Sequence, residues 1–206
     1  MGRSRHAPFA GSGLHQTLAA LAYAVEQHAG QRRPGDRAPF VLHPIEVATL
    51  LADVGAPDQV VAAGVLHDTI EKTTTEADDL RRRFGARVAS LVVALTEDPA
   101  ISGYSARKAA LRDQVQAAGD EALMVFAADK VSKARELRMT FARAPGAGEV
   151  PHLGRRGTKA YRKLAHYRHC AELLEERLAD SPLLESLRRE LAALALVEQA
   201  ELVGAR

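Results

Sequence analysis

The chain has 206 residues, 47% of them hydrophobic, and a formal net charge of +2 from 28 basic and 26 acidic side chains. That length and apolar content suffice for one good core and leave two domains cramped, while so balanced a charge argues against a nucleic-acid-binding surface. One cysteine excludes an internal disulfide and fits a reducing cytoplasm, and with no signal-like apolar stretch or run of eighteen apolar residues the sequence predicts a soluble, cytoplasmic protein without a membrane partner.

Aromatics make up 4% and Trp is absent, so Ala, Leu and Val must build the core from close-packed helices. The fold class expected is all-α, a single helical bundle of about eight to ten helices. Residues 1–13, rich in Gly, Ser and Arg, read as a disordered N-terminal tail, with the domain spanning 14–206. Apolar positions repeat with helical period over 14–29 and stop at Gly30, after which QRRPGDRAP forms a basic loop leading to His43. Helices follow at about 44–54, 57–72, 76–84 and 86–96, punctuated by Gly55, Pro57 and Gly85, and then at about 104–118 and 120–141. ARAPGAGEVPHLGRRG is the longest loop and carries Arg155 and Arg156. Two long amphipathic helices, near 158–180 and 182–203, close the chain, and neither an internal repeat nor a low-complexity tract occurs.

Three of these segments carry metal-type side chains in Ala/Leu/Val surroundings: His43, the adjacent His67 and Asp68 in VVAAGVLHDTIEKT, and Asp129 in VFAADK. Two imidazoles and two carboxylates suit a borderline-to-hard divalent cation such as Mn²⁺ or Fe²⁺ better than zinc. The chemistry they suggest is hydrolysis at phosphorus. On a helix over 57–72, Glu71 lies three and four positions beyond Asp68 and His67 and shares their face. A lone His-Asp dipeptide is usually a cap or a surface pair; the whole set points to a site. His166, His169 and Cys170 stand at helical spacing, but no fourth ligand accompanies them and no second metal site is expected. His28 reads as a helix-end residue that helps hold the basic loop.

The ordered motifs HAGQRR at 28–33, PFVLHPIEVATLL, VLHDTIEKT, FGARVASLV and AADK, followed by Tyr161 and the last helices, resemble the HD-domain phosphohydrolases. Within that family the resemblance is to RelA/SpoT-type hydrolase domains and their small stand-alone relatives, which remove the 3′-pyrophosphate from the alarmone (p)ppGpp. It implies one Mn²⁺ held by His43, His67, Asp68 and Asp129, Glu71 acting on the attacking water, and Arg33, Lys130 and Tyr161 on the nucleotide. Two departures stand out. The second acid of the family's Glu-Asp pair is Lys72 here, and the asparagine usually four residues after the last metal aspartate is Lys133. Each lysine follows a metal-type aspartate by four positions, so on a helix each reaches that ligand's side of the site.

Both changes make the pocket more positive, placing Lys72 at a catalytic position and Lys133 toward the substrate. Losing a general base typically costs ~10²–10⁴ in rate. The resemblance therefore implies a (p)ppGpp hydrolase of reduced or redirected activity. The alternatives are the same fold acting on another nucleotide or phosphate ester, and a catalytically weakened nucleotide sensor. Arg107 and Lys108, and the loop's Arg155, Arg156 and Lys159, offer further phosphate contacts, although solvated charge is the plainer account of each.

Overall fold

A computed structural model of the chain describes residues 13–142, 153 and 156–204. Residues 1–12 of the expected tail at 1–13, and Arg155 of the long loop, lie outside them. The helices run in the order α1 (His15–Gln27), α2 (Leu42–Asp53), α3 (Asp58–Leu66), α4 (Thr69–Lys72), α5 (Ala77–Leu95), α6 (Tyr104–Ala118), α7 (Asp120–Ala142), α8 (Lys159–Arg177) and α9 (Pro182–Gly204). Among the described residues the only extended pairing is a single antiparallel bridge between Arg32 and Pro39. No described helix is long and apolar enough to cross a membrane.

The run of apolar residues in α3 explains its place at the centre. Val60 to Leu66 are all buried, with α1, α2, α5 and α7 packed around them. A helix apolar on every side must be enclosed on every side. Gly64 lets α2 come close: a Cβ there would lie 2.4 Å from Leu51 Cδ1 and 3.3 Å from Val47 Cγ1, and Leu51 is fully buried. Gly64→Ala is therefore expected to destabilise the fold by about 1–3 kcal/mol, the usual cost of overpacking, readable as a lower urea midpoint.

The helix expected over 57–72 breaks at His67–Asp68. The Leu66 carbonyl accepts the Thr69 hydroxyl at 2.7 Å and the Gly64 carbonyl accepts His67 Nδ1–H at 2.8 Å, before the backbone ladder resumes at Lys72 N to Asp68 O, 3.0 Å. Side chains that occupy helix carbonyls in this way end a helix. The segments expected at 76–84 and 86–96 are two helical stretches of α5 separated, as expected, at Gly85, whose φ of 87° only glycine adopts without strain. Glu76 and Asp79 form a capping box at its start.

Candidate metal centre

His43 enters from the first turn of α2, His67 and Asp68 from the break between α3 and α4, and Asp129 from the middle of α7. All four are buried. His43 Nε2 lies 3.1 Å from His67 Nε2, 3.1 Å from Asp129 Oδ1 and 3.5 Å from Asp68 Oδ2; His67 Nε2 is 3.4 Å from each of those two oxygens. Ligand atoms of His43, His67 and Asp129 fall within 4.8 Å of one another, as a metal group requires. Asp68 adds a fourth donor. In a continuous helix His67 and Asp68 would diverge by about 100°; the break turns both inward.

The donor set fits a divalent cation on two grounds. Asp68 Oδ2 and Asp129 Oδ1 are buried without an aligned hydrogen-bond donor, the Lys133 ammonium lying beside Asp129, and a divalent cation between the two oxygens would relieve that cost. Moreover, His67 Nδ1 faces a carbonyl, so the proton sits there and Nε2 presents its lone pair to the same point. The carboxylates also draw positive charge to this point, which a bound cation would supply in place of a proton on His67. Burial opposes a charged His67, yet the Asp68 and Asp129 carboxylates outweigh it and push its pKa up to about 9. Burial also disfavours ionised Asp68 and Asp129, but Lys133, Lys130 and His67 around them hold both carboxyls well below the usual range.

Both unexpected lysines face the centre. Lys133 Nζ is 2.9 Å from Asp129 Oδ1, without hydrogen-bond alignment, and 3.9 Å from Asp68 Oδ1; Lys72 Nζ is 3.5 Å from Asp68 Oδ1. Lys130 is buried, 2.6 Å from Asp129 Oδ2 and 4.4 Å from the Phe126 ring centre. These lysines, with Lys108 and Lys163, line a cavity of about 650 Å³ whose wall includes His67, Asp68 and Asp129. Phe40, Tyr104, Phe126 and Tyr167 supply its aromatic surface.

Glu71 lines the same cavity, and its Oε1 accepts the Glu97 amide at 2.6 Å, which fixes the carboxylate. Glu97 in turn pairs with Arg107 and Lys108, so those two charges are structural partners of a cleft acid. Burial lowers the Lys108 pKa, as does nearby Lys130.

Two candidates from the sequence fall elsewhere. Arg33 does not line the cleft: its guanidinium pairs with Asp36 beside a separate cavity of about 270 Å³. The reason is the bridge at Arg32–Pro39, since neighbours on an extended strand point to opposite sides. Arg32 is the one that faces the cleft. Tyr161 sits in the first turn of α8, its amide capped by the Thr158 hydroxyl at 3.1 Å, and is not among the cavity residues. Arg156 and Lys159 are likewise exposed and off the cleft.

His166 approaches Cys170 Sγ at 3.5 Å and accepts from Arg112 at 3.1 Å; no carboxylate joins them in a metal group among the described residues. Burial, with the charges of Lys130 and Lys108, lowers its pKa to about 2 and keeps it neutral. His28 Nδ1 donates to Gln31 Oε1 at 2.9 Å at the end of α1, where the sequence put it. Nothing in the sequence marked out Glu97, or Ser132 and Glu46, which stand behind His43.

Residues 20–169 match the HD domain family. The chain is 37% identical over 130 residues to human MESH1, a guanosine-3′,5′-bis(diphosphate) 3′-pyrophosphohydrolase, covering 62% of this chain and 72% of that protein. It is 37% identical over 131 residues to the GTP pyrophosphokinase of Streptomyces coelicolor, and 40% identical over 78 residues to the 3′-pyrophosphohydrolase of Aquifex aeolicus. The match covers 62% and 38% of this chain, but it spans only 15% and 11% of those longer relatives. Among solved structures, a metazoan SpoT ortholog described as hydrolysing ppGpp superposes with a TM-score of 0.72 at 23% identity, covering 90% of this chain and 97% of that one. A Listeria monocytogenes protein matches with a TM-score of 0.60 at 25% identity, covering 72% of this chain and 90% of that one.

Proposed function

The chain belongs to the HD domain family, whose members depend on a metal ion, and from that premise we propose that it is a metal-dependent phosphohydrolase removing the 3′-pyrophosphate of the alarmone (p)ppGpp. The observation that carries this reading is the convergence of two imidazole Nε2 atoms and two carboxylate oxygens without an aligned donor at the wall of a lysine-lined cleft. MESH1, similar over most of its length, carries the same activity in its name.

In this proposal His43, His67, Asp68 and Asp129 hold one Mn²⁺, or Fe²⁺. Such an ion supplies a Lewis acid and a water of lowered pKa. Glu71, held by the Glu97 amide, takes the proton of the attacking water. Lys130 and Lys133 pair with phosphate oxygens as negative charge develops on them. Arg32 takes the part that the resemblance gives Arg33, and Phe40 and Tyr104 offer the aromatic faces expected of Tyr161. A buried free thiol at Cys170 suits the reducing cytoplasm in which we place the protein.

One observation favours a second reading, a weakened nucleotide-binding protein: Lys133 and Lys72 lie against the metal-type carboxylates. Turnover of ppGpp with Mn²⁺, measured beside equilibrium binding, separates the two. Release of pyrophosphate supports the hydrolase; tight binding without release supports the sensor.

The arginine assignment has its own test. Arg32→Ala removes a charge-assisted contact and is expected to weaken ppGpp binding roughly tenfold or more, whereas Arg33→Ala should leave it within about threefold. Titration calorimetry on both variants checks this. A larger loss in Arg33→Ala would return the substrate role to Arg33.

A further inference from the structure

We propose that Ser132 and Glu46 form a positioning relay that fixes the tautomer of His43 and so aims its Nε2 lone pair at the metal site. The argument is a proton count. Glu46 Oε2 and Ser132 Oγ are 2.7 Å apart, and an ionised carboxylate only accepts, so the hydroxyl proton goes to Glu46. A serine hydroxyl has one proton. Its Oγ can then only accept across the 2.8 Å contact to His43 Nδ1, which must carry the imidazole proton. The lone pair is left on Nε2, which faces Asp129 Oδ1 and His67 Nε2, each at 3.1 Å.

Glu46 is itself held in place. Arg135 Nη1 donates to its Oε1 at 3.1 Å while Arg135 Nε donates to Glu190 at 3.0 Å, and Arg138 Nε reaches the same Glu190 at 2.7 Å. The relay thus ties α2, α7 and α9 together behind one imidazole. His67 has a simpler support, the Gly64 backbone carbonyl. The two histidines are therefore held differently, one by a carboxylate through a hydroxyl and the other by a backbone carbonyl. Ser132 is 2% exposed, so bulk solvent does not reach the hydroxyl.

The proposal rests on His43 being a metal ligand, and its tests separate the two ideas. Imidazole ¹⁵N–¹H spectra of the metal-free wild-type protein should show the His43 proton on Nδ1; a proton on Nε2 overturns the relay whether or not the protein binds a metal. Ser132→Ala should raise the Kd for Mn²⁺ at least about tenfold, the usual range for such supporting contacts, with the thermal midpoint of the metal-free protein little changed. Glu46→Gln should do the same by another route. Its amide N–H can donate to Ser132, which turns the hydroxyl toward Nδ1 and moves the imidazole proton to Nε2. Ser132→Thr, which keeps the hydroxyl, should bind Mn²⁺ within about threefold of wild type. Mn²⁺ affinity unchanged within twofold in Ser132→Ala overturns the relay; absence of Mn²⁺ binding in the wild type overturns instead the reading of His43 as a ligand.

Discussion

His67→Ala and Asp68→Ala are each expected to drop bound metal from about one ion per chain to near zero and to take hydrolysis of ppGpp to background. Losing one of four donors removes both binding energy and geometry, and the remaining ligands still need to be held deprotonated by the ion they no longer grip. The helical fold should survive. The aliphatic residues of α3 from Val60 to Leu66 make the core contacts, and His67 and Asp68 lie beyond them at its polar end. Metal analysis by mass spectrometry beside far-ultraviolet circular dichroism checks both halves of the statement. A wild-type protein that copurifies with no metal and takes up none would end the reading.

The second large effect is a gain. With Lys72 Nζ 3.5 Å from Asp68 Oδ1 and Lys133 Nζ 2.9 Å from Asp129 Oδ1, two ammonium groups compete for the oxygens a metal needs. By the resemblance to RelA/SpoT-type hydrolases, Lys72 also takes the place of a second water-handling acid. Lys72→Asp combined with Lys133→Asn should raise alarmone hydrolysis at least about tenfold, the low side of a restored general base. Nucleotide binding should weaken at the same time, because positive charge leaves the cleft. Pre-steady-state release of pyrophosphate against nucleotide Kd reads both. A double variant that keeps its metal and hydrolyses ppGpp no faster points to a different substrate. Glu71→Gln is the control, since it should abolish metal-dependent hydrolysis of any substrate if that carboxylate handles the proton.

What the sequence made legible was periodic and local. The spacing of Ala, Leu and Val set the long helices, so α6, α7, α8 and α9 lie within a few residues of their expected limits. His43, His67, Asp68 and Asp129 were visible because ionisable side chains in apolar runs demand an explanation, and the structure brings them together. The break at His67–Asp68 was not visible, because it depends on which carbonyls the His67 and Thr69 side chains take. Choosing between Arg32 and Arg33 was equally out of reach. That choice turns on one backbone bridge to Pro39, and nothing in a run of two arginines says which faces a cleft formed by distant helices. Ser132 and Glu46 lie 86 positions apart and look like ordinary polar positions until folding stacks α2 on α7.

The basic segment between α1 and α2 is fastened at many points. At the far end of α1, the Gln16 and Thr17 amides donate to the Asp58 carboxylate of α3. Gln31 donates to the Lys72 carbonyl at 2.7 Å and accepts from His28, and Gly35 N reaches Glu136 on α7 at 3.3 Å. Arg32 therefore belongs to a wall, not to a flap. A ligand entering the cleft does not have to order this strip of chain, so the conformational entropy that a closing loop would consume on binding has already been spent in folding. Discrimination between ligands then falls to fixed shape and charge, and association is free of a loop-closing step on this side of the cleft.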